Sequence, residues 1–167
     1  MNDKAEGFIN YLIEQFKTDK GTRAFMRRAD NPSTEYQAWA ILARFGINLE
    51  DEIERKSYAT VGAALARANP SLDGGLKLGT ALGACGKDGK AGDPEKARLR
   101  RILACTDVLE LCGVLRHILP LFVSRNVPIS YTRLLKDILQ FKYNPEKVKI
   151  KWAKMFFAVE QVEEAVS

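Results

Sequence analysis

A chain of 167 residues is long enough to bury a core, as one domain or as two small ones. Hydrophobic residues at 46% and charged residues at 28% exclude a disordered polar chain. The 26 Lys and Arg against 21 Asp and Glu leave a net charge of +5, a mild basic bias that suits nucleic acid, an acidic partner or neither. Residues 1–92 carry 13 basic and 12 acidic side chains, whereas residues 93–167 carry 13 and 9, so most of the excess lies in the C-terminal part.

In chain order, Phe8, Ile9, Leu12, Ile13 and Phe16 recur at three and four residues and predict a first amphipathic helix. A short second helix covers "GTRAFMRRA", with Phe25, Met26 and Ala29 to one side and Arg23 and Arg27 together on another. A third is predicted over Glu35–Phe45, where Tyr36, Trp39 and Phe45 fall at core spacing. A fourth runs over Glu50–Ala68, opening on the acidic residues that a helix N-terminus favours, and Asn69–Pro70 stops it. Seven of the 12 glycines then fall between Gly74 and Gly92. "LKLGTALGACG" adds a short helical piece, and "GKDGKAGDP" (Gly86–Pro94) reads as a flexible, loosely packed connector.

Beyond it, Asp93–Pro94 supply an N-cap and a first helical residue for the helix holding "KARLRRILA". Asp107 with Glu110 forms a capping-box-like start for the next, which Pro120 should kink or end. Ser130 introduces "YTRLLKDILQF", and Asn144–Pro145 introduce "EKVKIKWAKMFFAVEQ". No convincing strand and no internal repeat occur. The fold class expected is all-α, two small helical bundles joined by a Gly-rich linker at about 83–92: an N-terminal domain over 1–92 and a basic C-terminal domain over 93–167.

Three cysteines, Cys85, Cys105 and Cys112, show no CxxC pairing. "MNDKAEGF" is charged where an export signal is apolar, and "LCGVLRHILPLFV" is broken by Arg116, His117 and Pro120. The expectation is a soluble cytoplasmic protein with reduced thiols in its core and no membrane partner. The inventory for catalysis is nearly empty. His117 is the single histidine and has neither an HExxH partner nor a cysteine within one helical turn. GxxxxGK[ST] fails at both Gly86–Lys87 and Gly89–Lys90, so no phosphate loop is present. "EDEIE" has no second acidic cluster to share a metal. No cofactor, metal or catalytic residue is assigned.

What remains is positive charge. On a helix, Leu99, Ile102 and Leu103 gather on one side while Arg100 and Arg101 project away from it, flanked by Lys96 and Arg98. In the last helix Val148, Trp152 and Met155 form a core stripe with Phe156 beside it, and Lys147, Lys151 and Lys154 form another. Glu146 is the only acid between Gln140 and Val159, against Lys142, Lys147, Lys149, Lys151 and Lys154. Such a stripe repels itself and gains nothing from i,i+4 pairing. Phosphates would offset that repulsion, though a plain solvated face has the same pattern. No zinc-finger spacing, RNP motif or base-reading helix-turn-helix is present, so any nucleic-acid contact would be to the backbone and blind to sequence.

Five phrases, in order, resemble the small subunit of the type I-E CRISPR surveillance complex Cascade, the CasB family. They are "DKGTRAFMRRA" (Asp19–Ala29), "LKLGTALG" (Leu76–Gly83), "RLRRILACTDVLELCGVLRHIL" (Arg98–Leu119), "VPISYTRLLKDILQF" (Val127–Phe141) and "VKIKWAKMFF" (Val148–Phe157). The resemblance implies a protein without catalytic activity. Two copies typically sit among other Cascade subunits and brace the guide crRNA–target DNA hybrid and the displaced DNA strand. It places Arg27, Arg28, Arg98, Arg100, Arg101 and Arg116 at phosphate-contacting positions. Lys142, Lys149 and Lys151 join them on the strength of the basic run. The other reading of the same residues is a helical adaptor whose basic face meets an acidic protein.

Overall fold

A computed structural model describes the backbone of residues 2–166 and the side chains of residues 4–159. Among these residues the chain forms nine α-helices: α1 (Asn2–Thr18), α2 (Lys20–Arg27), α3 (Trp39–Arg44), α4 (Glu52–Ala68), α5 (Leu78–Ala84), α6 (Asp93–Leu103), α7 (Val108–Ser124), α8 (Tyr131–Phe141) and α9 (Pro145–Val166). Short 3-10 turns occupy Glu35–Ala38 and Lys87–Gly89. The described residues contain no strand, only an isolated parallel bridge between Leu76 and Ile129. The all-α expectation is met.

Helix α4 is the centre. Every residue from Ser57 to Ala66 is buried, which is why this stretch is rich in alanine and carries no charge. Helices α1, α2, α7 and α8 all pack on it. Its ends are fixed locally. The Asp51 carboxylate accepts from the Glu54 N–H at 3.1 Å, and Asn69 closes the other end in the left-handed region at φ 46°. A second packing centre joins α5, α8 and α9, where Trp152 stacks against Phe141 with ring centroids 6.4 Å apart. The buried residues of both centres belong to one apolar cluster. Contacts cross position 92 repeatedly: α4 meets α7 and α8, α1 meets α8, and α5 meets α9. Asp73 adds a polar staple, accepting from the Tyr131 N–H at 2.7 Å and the Thr132 N–H at 3.1 Å, so a residue before the connector caps a helix after it.

Several local expectations are corrected. The N-cap of α6 is Gly92, not Asp93; Asp93 and Pro94 are its first two residues, and Glu95 accepts from the Gly92 N–H at 2.9 Å. Of the two outcomes expected at Pro120, the end of the helix is corrected: α7 runs through it to Ser124. Proline removes one backbone donor there, but Leu119 and Phe122 on either side are buried, and the Arg125 N–H closes the last turn on Leu121 O at 3.0 Å. Phe25, Tyr36 and Trp39 are exposed rather than core. Trp39 turns outward because its indole N–H reaches Glu35 at 2.7 Å and its ring lies 5.9 Å from the Arg55 guanidinium. Met155 is half-buried, and the α9 core stripe is Val148, Trp152 and Phe156.

Candidate nucleic-acid interface

The nine basic residues singled out in the sequence fall into separate neighbourhoods, and their surroundings differ. Arg27 and Arg28 end α2, both exposed; Arg28 donates to Gln37 at 3.2 Å, while the Arg27 side chain has no ion pair among the described residues. The buried Asp30 lies just beyond them. Its carboxylate accepts from Arg67 at 2.5 Å and stands 4.0 Å from the Arg116 guanidinium. Arg67 also reaches the Arg27 carbonyl at 3.3 Å. Arg67 and Arg116 are therefore brought together around one carboxylate by α4 and α7, and Arg67 ties the Arg27 backbone at the end of α2 to the same point. Arg67 escaped sequence reasoning because it closes a helix otherwise dominated by alanine, with no charge pattern to mark it.

Arg98 points back into the fold. It donates to the buried Glu95 at 2.9 Å, and Arg125 lies 3.7 Å from the same carboxylate while donating to the Cys85 carbonyl. Arg98 thus helps to tie the connector to the start of α6. Arg100 and Arg101, one turn further on, are exposed and have no ion pair or side-chain hydrogen bond among the described residues. They lie opposite the buried face of Glu95, Leu99 and Ile102. Burial pushes the Cys105 thiol up, and both Lys149 and Arg101 act on it electrostatically. The C-terminal half of the chain thus packs α6 on α9, with the buried Cys105 thiol near both.

Lys149 lies 5.7 Å from the Phe141 ring, and Lys142 lies 5.4 Å from the exposed Tyr143 ring. Lys151 is engaged internally: its ammonium contacts Asp137, whose other oxygen accepts from the buried Trp152 indole N–H at 2.9 Å. Lys147 and Lys154, on the same helix, stay exposed.

Nothing in these surroundings resembles a reaction centre. His117 is exposed on α7. All three cysteines are buried, and burial raises their pKa, to about 11 for Cys112, so none is a ready thiolate. Among the described residues no cluster of three His, Cys, Asp or Glu could hold a metal, and no helix is long and apolar enough to cross a membrane. Tyr58 and Tyr131 are buried, which pushes each hydroxyl up to about 12 and removes both as surface platforms.

The helical fold is shared with known CasB structures. The crystal structure of M. ruber CasB matches with a TM-score of 0.78 at 25% identity, covering 98% of each chain. CasB from Thermus thermophilus matches with a TM-score of 0.74 at 21% identity, over 92% of this chain and 97% of that one. A chain of a structure described as a CRISPR RNA-guided surveillance complex matches with a TM-score of 0.79 at 20% identity, covering 99% of both. A search of the curated proteins finds no match. The model of the CRISPR-associated protein Cse2 family matches residues 22–157, and the chain belongs to that family. The resemblance to CasB drawn from the five sequence phrases is borne out.

Proposed function

We propose that this chain is a non-catalytic subunit of a CRISPR RNA-guided surveillance complex. It steadies the guide RNA–target DNA hybrid and the displaced strand through phosphate contacts blind to base sequence. Other subunits of the complex, the crRNA and a second copy of the chain are its partners in this reading, and the cytoplasm its place. Family membership supports the setting, and the likeness to a chain of a surveillance complex agrees with it.

The observation that carries the contact mechanism is the state of Arg100 and Arg101. Both are exposed and without a carboxylate partner among the described residues, on a helix that packs against the lysine-bearing α9. An unpaired guanidinium pair on a rigid helix gains most from phosphate, since bidentate bonds form without first breaking an internal ion pair. Exchange of a DNA duplex for an RNA–DNA hybrid is nearly balanced, so a few backbone contacts suffice to tip it. Arg27, Arg28 and Arg116 form a second candidate contact. Arg98 and Lys151 support the surface through Glu95 and Asp137.

The test is target-DNA binding by the assembled complex carrying Arg100→Glu/Arg101→Glu, measured at several salt concentrations. Affinity should fall at least about tenfold, and the log–log salt slope should flatten by about one to two units, near 0.9 per lost phosphate contact. Unchanged affinity and slope would remove these arginines from the interface and favour a basic face that meets an acidic protein.

A further inference from the structure

Helix α9 buries Val148, Trp152 and Phe156 and turns a different set of residues to solvent. Lys147, Ile150, Lys154 and Phe157 follow at three, four and three residues, the spacing of a seam along one side of a helix. Ile150 is 56% exposed and Phe157 45%, although both are large and apolar. Phe157 stands T-shaped against the buried Phe156 ring, centroids 5.2 Å apart, so it is held in place rather than free to swing. Lys147 and Lys154 are exposed, and their ammonium groups make no ion pair among the described residues. Along the seam lies a shallow groove of about 350 Å³ lined by Lys147, Ile150, Lys151, Lys154, Met155 and Ala158. Lys151, held by Asp137, is its wall. Single exposed apolar side chains are ordinary, but two of them seven residues apart beside a groove are spaced as the anchors of a helix pair.

The lysines decide what can lie on this seam. Read as a heptad, Lys147 and Lys154 take the a positions and Ile150 and Phe157 the d positions, with the buried Val148, Trp152 and Phe156 at b, f and c on the far side. A second copy laid parallel on the same seam would set Lys147 on Lys147 and Lys154 on Lys154, two repelling pairs. A phosphate chain answers the lysines but gains nothing from Ile150, which stands between them. A helix with a carboxylate at each a position and leucine or isoleucine at each d answers both. Glu146 is the only acid between Gln140 and Val159, so the negative charge must come from the partner.

We propose that the outer face of α9 is a docking seam for an acidic amphipathic helix of another protein, with Ile150 and Phe157 in its apolar stripe and Lys147 and Lys154 on its carboxylates. The seam uses none of the arginines assigned to phosphate and stands whether or not they hold it.

The probe is a labelled synthetic helix of about three heptads with glutamate at a and leucine at d, titrated by fluorescence anisotropy against the full-length chain. A peptide with lysine at a is the control, and the parent should bind the acidic peptide at least about tenfold more tightly. Ile150→Ser/Phe157→Ser, which leaves every charge in place, should weaken that binding about tenfold. Lys147→Glu/Lys154→Glu should weaken it about tenfold and reverse the preference, so that the lysine peptide binds more tightly than the glutamate one. All four positions are exposed, and circular dichroism verifies the helix content of each variant. The reversed preference is a gain that a misfolded chain does not produce. Parent-like binding by the serine variant overturns the proposal, because the attraction is then charge alone. Equal binding of the two peptides by the parent overturns it as well. Loss of binding to a thymidine oligonucleotide, rather than to the acidic peptide, in the Lys147/Lys154 variant would make the occupant a nucleic acid. Self-association of the parent chain that the serine variant abolishes would make it a second copy.

Discussion

Asp137 shows how one side chain both builds the fold and shapes its surface. Its carboxylate is buried, accepts from the indole N–H of a fully buried tryptophan and holds Lys151 at the groove wall. Losing it strands a buried donor, which costs about 1–3 kcal/mol, and removes an ion pair whose half-exposed lysine is screened by water. Asp137→Ala should therefore lower stability by about 2–4 kcal/mol. Asp137→Asn, which keeps an acceptor for the indole, should lower it by about half as much. Urea unfolding measures both as a lowered midpoint at unchanged slope. A shift under about 0.5 kcal/mol for the alanine variant would mean that the indole finds water or another acceptor. None of this was visible in "LLKDILQF", where Asp137 reads as one more surface acid. The partner that justifies burying it lies fourteen and fifteen residues away, on another helix. Reading outward-facing arginines was easier. Arg100 and Arg101 fall opposite their helix's apolar stripe, and the structure puts them there, whereas Arg98, on the flank of that stripe, turns to Glu95.

Among the elements, α5 was read as a short helix, but the role of its glycines was not legible, because they resemble those of the connector that follows. They serve a different purpose. A Cβ on Gly79 would stand 2.3 Å from the Trp152 carbonyl oxygen, so α5 and α9 pack almost backbone to backbone, and Gly83 repeats the approach one turn later. Close helix approach through small residues buries Leu78 and Leu82 against Trp152 and Phe156. Gly79→Ala, otherwise favourable for a helix, should destabilise the protein by about 1–3 kcal/mol because α9 must move away. The same substitution at Gly113, an exposed position in α7 with open space around it, should be neutral or slightly stabilising. Thermal unfolding of the two variants side by side checks this; equal effects would mean that the α5–α9 contact yields at no cost. Periodicity found the long helices, since a regular apolar stripe states both the helix and its buried face. It could not distinguish glycine that loosens a chain from glycine that lets two helices touch, because that depends on a surface sixty or more residues distant.

At the scale of the molecule, the composition break after residue 92 suggested two bundles, and the packing decides what such a break could mean in solution. The connector is exposed from Lys87 to Lys90 and offers trypsin two lysines, yet it is a turn held by backbone hydrogen bonds rather than a featureless tether. On either side of it stand partners that need each other. Asp73 caps α8, α5 lies on α9, and the central α4 is covered by α7 and α8. Two small helical sets of this size each leave a large apolar face, and separating them would return that face to water. Limited trypsin cleavage at the connector should therefore give two fragments that elute together and keep the helical signal of the intact chain. Elution as separate folded pieces would instead establish two independent bundles joined by a hinge. The difference bears on function, because a basic surface on α6 and α9 resists the pull of a nucleic-acid strand only as well as the core beneath it is shared. In the proposed role, a single core would transmit that load from α9 through α5 and α8 to α4, keeping Arg100 and Arg101 in register with a phosphate backbone.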